Sequence, residues 1–132
     1  MKKVTETIGI DVSKLTLDVY VRTTKVHKQF SNDVKGFRQI ISWTIKQKIN
    51  LEETLFCFEH TGWYCLLLSY FLFENKHRYC CINAIEIKRS MGLKRGKSDK
   101  ADAWEIANYA WLRREELIPS VPPAKKLIEL QR

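Results

Sequence analysis

The sequence predicts an α/β domain built on a mixed five-stranded sheet with flanking helices. Three observations lead there. Two short runs near the start (7–12 and 15–21) place apolar residues at alternate positions, the period of strands with one covered face, and a third run, 26–30, follows across a short turn. Later, Thr54-Leu55-Phe56-Cys57-Phe58 is continuously apolar or small, as in a central strand covered on both faces. Helix-period segments precede and follow that run, so the later strands are joined by helical crossovers.

Size and composition agree with one folded unit. A chain of 132 residues that is 45% hydrophobic can bury a proper core and is not a disordered tail. Lysine and arginine exceed aspartate and glutamate by 23 to 15, a formal charge of +8. An excess of that size favours a polyanionic partner, through release of phosphate counterions. The four cysteines, 57, 65, 80 and 81, form no CxxC pair. Zinc and a disulfide framework are therefore not expected, and a reducing, cytoplasmic setting is. The first six residues do not resemble a signal peptide, and the longest apolar run, 63–73, is too short to span a bilayer.

Element by element, Thr7-Ile8-Gly9-Ile10-Asp11-Val12 puts Ile8, Ile10 and Val12 on one face and Thr7, Gly9 and Asp11 on the other. Aspartate is depleted in strands, and a buried carboxylate needs a compensating charge. Gly9 leaves room for close approach by a ligand or a backbone. Ser13-Lys14 turn into a second strand with Leu15, Leu17, Val19 and Val21 inward; Asp18 on it reads as a surface residue. The third strand, 26–30, is an edge strand with His27 facing solvent, and the three form an antiparallel meander. Ser31-Asn32-Asp33 opens an amphipathic helix over 34–47 with Phe37, Ile40, Ile41, Thr44 and Ile45 on its stripe.

The central strand ends in Glu59, at the position where open α/β sheets bind ligands. His60-Thr61-Gly62 then turn into a helix over 63–74, apolar nearly all round, whose aromatics read as core rather than as a base-stacking platform. Residues 78–83 form the fifth strand. Glycines and clustered charge over 86–97 predict a mobile basic loop. A helix over about 98–114 follows, with Ala101, Trp104, Ala107, Ala110 and Trp111 toward the core. Pro119, Pro122 and Pro123 break it. The expected organisation is a domain over 1–116, then a proline-containing linker and the start of a truncated helix over 117–132.

The order β-β-β-α-β-α-β-α is that of a ribonuclease H-like fold. In it Asp11 lies on the central first strand and Glu59 at the end of the fourth. Asp99 and Asp102, three apart, share one face of a late helix. Four carboxylates brought together stay ionised only around a cation, and hard oxygen donors suit magnesium or manganese. Ser and Asp at a helix start also serve as caps, and from that stretch alone both readings stand. Thr61 and Ser98 read as turn and cap residues, since no His-Asp relay lies near them.

The ordered set Gly9-Ile10-Asp11-Val12-Ser13-Lys14, Leu17-Asp18-Val19, Glu59-His60-Thr61-Gly62-Trp63-Tyr64, Ile82-Asn83-Ala84 and Arg95-Gly96-Lys97-Ser98-Asp99-Lys100-Ala101-Asp102-Ala103 resembles the N-terminal RuvC-like domain of DEDD transposases. The resemblance is to the IS-one-ten insertion-sequence family and the related Piv-type DNA invertases, and it covers nearly the whole chain. It implies that Asp11, Glu59, Asp99 and Asp102 form a catalytic site binding Mg²⁺ or Mn²⁺. It implies DNA as partner, a structured guide RNA, a homo-oligomer at full length, and a C-terminal domain bearing a serine that attacks DNA. Beside the acids, Lys88, Arg89, Lys94, Arg95, Lys97 and Lys100 are expected to hold nucleic-acid backbone. The function expected is metal-dependent strand cleavage and transfer in transposition. A stand-alone nuclease or Holliday-junction resolvase of the same fold, and a non-catalytic nucleic-acid-binding module, remain the alternatives.

Overall fold

A computed structural model describes residues 3–91 and 101–122 of the chain. The elements run β1 (Glu6–Val12), β2 (Thr16–Val21), β3 (Val26–Ser31), α1 (Val34–Lys46), β4 (Thr54–Glu59), α2 (Leu66–Glu74), β5 (Arg78–Ile82), α3 (Ala84–Met91) and α4 (Ala103–Leu112). The sheet order is β3-β2-β1-β4-β5. The first three strands pair antiparallel; β4 and β5 run parallel to β1. This is the mixed five-stranded α/β arrangement of a ribonuclease H-like fold.

Strand alternation divides the core into two layers. Ile8, Ile10 and Val12 of β1 stand beside Leu17, Val19 and Val21 of β2 and Phe56 and Phe58 of β4, under Phe37, Ile40, Leu68 and Leu72 of α1 and α2. The opposite layer holds Leu55, Cys57 and Cys80 beneath Ile87, Ile106, Tyr109 and Ala110 of α3 and α4. All six residues of β4 are buried, as its unbroken apolar run requires. Asp33 caps α1 by accepting the Gly36 amide, and that bond with the Ser31 hydroxyl lowers its pKa.

α4 lies directly on β1. A Cβ on Gly9 would run into the Ala103 carbonyl and sit 2.5 Å from the Ala107 amide nitrogen. The Thr7 hydroxyl donates to the Ala107 carbonyl at 2.9 Å. So the close approach expected at Gly9 is made by a helix backbone, and Ala103, Ala107 and Ala110 of that helix are buried.

Several expectations are corrected. Leu15 is not inward but 74% exposed, because it lies in the turn before β2. Ile45 is exposed on α1. The helix after Glu59 is not buried all round: Trp63 is 84% exposed, with Tyr64 and Leu67 also on the surface. That segment begins as a short 3-10 turn, Gly62–Cys65, and only Leu68, Ser69 and Leu72 of α2 are buried. Residues 84–91 are helical rather than loop, anchored by buried Ile87. α4 starts at Ala103, later than the predicted 98; Ala101, Ala107 and Ala110 are buried as expected, but Trp104 is 52% exposed, and Ile106 and Tyr109 also face inward. Trp111 lies between the guanidinium groups of Arg22 and Arg114, at 3.6 and 3.7 Å from its ring centroid.

The stretch after α4, expected as linker, follows β5. Ser120 donates its amide to the Tyr79 carbonyl, and its hydroxyl accepts the Cys81 amide. Among the described residues no helix is long and apolar enough to cross a membrane.

Candidate acidic site

Strand register brings the first two acids together. In the parallel pair β1–β4, Ile10 stands beside Phe58, so the next residues, Asp11 and Glu59, are neighbours. Both lie one step out of phase with Ile10 and Phe58, on the α4 face of the sheet. Asp11 is half-buried, and Glu59 is only 6% exposed. Nearby, burial and then the charges of Cys80 and Glu59 push the Cys57 thiol well up.

The third element arrives from the start of α4. The Ala101 amide donates to Glu59 Oε1 at 2.5 Å. This bond joins residues 42 positions apart and fixes the Ala101-Asp102 segment over the carboxyl end of β4. Asp102 itself is exposed and extended, with φ −83° and ψ 172°. Its carboxylate accepts the Glu105 amide at 2.8 Å, while Glu105 accepts the Asp102 amide at 3.0 Å. That is a reciprocal capping box. Capping is therefore one thing Asp102 does. Asp102 therefore caps α4 rather than lying inside a helix that begins before it.

A cap uses one carboxylate oxygen, and the other stays available. Among the described residues no group of three His, Cys, Asp or Glu side chains could hold a metal ion. Asp99, with Lys94, Arg95, Lys97 and Lys100, lies outside the described residues. The donors gathered here are all hard carboxylate oxygens, the set that suits magnesium or manganese. Of the two remaining basic candidates, Arg89 is exposed, whereas Lys88 is 8% exposed and turned against the protein.

One further acid, a surface residue by its sequence pattern, stands in the same row. Asp18 of β2 is the direct cross-strand partner of Asp11, and it accepts a bond from Gln29 Nε2 at 3.3 Å. Like charges directly opposite are destabilising. The sequence signal for this pairing is the matching phase of the two alternating strands across a short turn. The turn beside them is held by Asn32, whose side-chain amide donates to the carbonyls of Ser13 and Tyr64 at 2.8 and 2.9 Å. Trp63 and Tyr64 are thus exposed aromatics a few residues beyond Glu59.

The chain matches the sequence profile of a transposase family, the DEDD type of IS110, over residues 8–132. It is also 30% identical over 107 residues to the pilin gene-inverting protein of Moraxella bovis, and equally so to that of Moraxella lacunata. The aligned region is 77% of this chain and 33% of each relative. The chain thus spans about a third of the length of these relatives.

Proposed function

Since the chain belongs to the IS110-type DEDD transposase family, we propose that it is the acidic, metal-dependent part of an enzyme that cuts and rejoins DNA. Asp11, Glu59, Asp99 and Asp102 are the residues that would hold Mg²⁺ or Mn²⁺. When bound, such ions neutralise charge on a phosphoryl group and polarise its oxygens. Glu59 also has a positioning role, because its Oε1 holds the segment carrying Asp102. Arg89, Lys94, Arg95, Lys97 and Lys100 hold the nucleic-acid backbone beside the acids. A nucleophile-bearing domain and a guide RNA belong to the same reading.

The observation that carries it is the meeting of three elements at one sheet end: Asp11 beside Glu59 by register, and Glu59 bonded to the approach to α4. A merely capping role for the acids gives no reason for Asp11 and Glu59 to share a face. The test is thermal unfolding in millimolar Mg²⁺ or Mn²⁺. A ligand at 100 times its Kd stabilises by about 2.7 kcal/mol, an upward shift of several degrees. Asp11→Asn and Glu59→Gln should remove it. No shift in the unsubstituted chain would contradict metal binding.

A further inference from the structure

One basic surface among the described residues lies apart from the acids. A groove of about 610 Å³ runs between edge strand β3 and the outer face of α1. Its walls carry Lys28, Lys35, Arg38 and Lys46, and no acidic side chain lines it. All four cations are exposed. Its floor holds Phe30 and Trp43, which meet edge to face with ring centroids 5.4 Å apart. Lys28 Nζ lies 5.6 Å from the Phe30 ring.

Lys35, Arg38 and Lys46, with Ser42 between, follow one stripe of α1. At 1.5 Å per residue the stripe is roughly 16 Å long. That matches the rise of about five base pairs at 3.4 Å per step along one DNA strand. A solvated helix face of this kind usually interleaves both signs; here the facing strand adds a fourth cation and no anion. Lys28 across the groove from the α1 stripe adds like charge, which repels unless an anion lies between. The α1 face is also the sheet face opposite the acids, so this surface is not part of their immediate surroundings.

We propose that the β3–α1 groove is a second DNA-backbone track, distinct from the acidic site, which holds duplex phosphates while Phe30 and Trp43 support its floor. This rests on the reading of the chain as DNA-acting. The occupant is DNA rather than an acidic protein because the charges are spaced as a stripe of backbone contacts around aromatic surface.

The test is salt-dependent DNA binding by the 132-residue chain, comparing Lys35→Gln/Arg38→Gln with the control Lys48→Gln/Lys76→Gln. Each lost phosphate contact lowers the slope of log K against log salt by about 0.9. The groove variant should lose about 1.8 of slope and bind duplex DNA tens-fold more weakly at ~0.1 M salt, with the control unchanged. Equal affinity and slope in both variants would overturn the proposal. So would a loss seen with duplex RNA or polyglutamate but not with duplex DNA, or an equal loss in the control. The metal-induced rise in melting temperature should persist in the groove variant. If that rise is absent throughout while the slope still falls, the metal reading fails and the groove stands; the reverse pattern removes the groove alone.

Discussion

Gly9→Ala probes the contact on which the site is built. A Cβ at this position meets the Ala103 carbonyl and comes within 2.5 Å of the Ala107 amide nitrogen. Both are backbone atoms, so no side chain can swing aside. Restoring an ordinary separation of about 3.5 Å moves α4 outward by roughly 1–1.4 Å. Overpacking of this kind costs about 1–3 kcal/mol. The shift also stretches the buried Thr7–Ala107 hydrogen bond, whose loss leaves polar groups unsatisfied at a further cost of about 1–3 kcal/mol. The total, about 2–6 kcal/mol, lowers Tm by roughly 8–20 °C in a domain of this size. Because Ala101 and the cap Asp102 lead directly into α4, its retreat also draws Ala101 away from Glu59, so metal-dependent stabilisation should disappear even where the variant is folded. Circular dichroism melts with and without Mn²⁺ read both effects. Gly62→Ala is the comparison: Gly62 has φ +64° but nothing within 4 Å of an added Cβ, so only the left-handed backbone penalty of about 1–2 kcal/mol applies. A Gly9→Ala chain that melts within about 3 °C of its parent and keeps its metal response would refute the reasoning.

Other substitutions separate roles that overlap. At Asp102, Asn preserves a cap almost as well as Asp, whereas Ala costs about 0.5–2 kcal/mol. Asp102→Asn should therefore keep its melting temperature without metal yet lose the metal response; an intact response would leave Asp102 as a cap alone. Asn32→Ala, which removes its bonds to the Ser13 and Tyr64 carbonyls, should cost about 1–3 kcal/mol and speed hydrogen exchange in the β1–β2 turn; an unchanged exchange rate there would contradict the clamp. Burial lowers the pKa of His77, which packs edge-on against Phe56. The unfolded chain then takes up the proton first, so stability present above about pH 6.5 falls as pH drops toward the depressed folded value. His77→Phe should flatten that dependence in urea titrations at pH 7 and 5, and an unaltered pH slope would exclude His77 as its source.

What can be read from the sequence follows from how local each signal is. β1, β2 and β4 announce themselves, since alternation or an unbroken apolar run is fixed by the faces a strand covers. Asp11 and Glu59 are legible because a carboxylate at the carboxyl end of a strand is conspicuous. Helix faces are legible in part. Ala107 and Ala110 of α4 face inward as their spacing suggests, but the close approach to Gly9, at the other end of the chain, is not visible locally, and Trp104 lies outside it. A short helix such as α3, held by one buried isoleucine, shows no period to detect. Asp102 is ambiguous in principle, because capping and ligation use the same residue at the same place; the Asp102–Glu105 spacing does carry the capping-box pattern. The exposure of Trp63 is hidden because an apolar segment does not reveal which side lacks a neighbour. The basic groove is hidden for another reason: three of its cations come from α1 and its second wall from β3, and neither element is unusual alone.

The most direct measurement is anomalous diffraction from crystals soaked in Mn²⁺. A peak is expected at the carboxyl ends of β1 and β4, in coordination range of Asp11 and Glu59 at roughly 2.0–2.3 Å, with no peak there in Asp11→Asn crystals. Full soaking with no density between those two side chains, or manganese found only elsewhere, would contradict a metal-holding role for this pair.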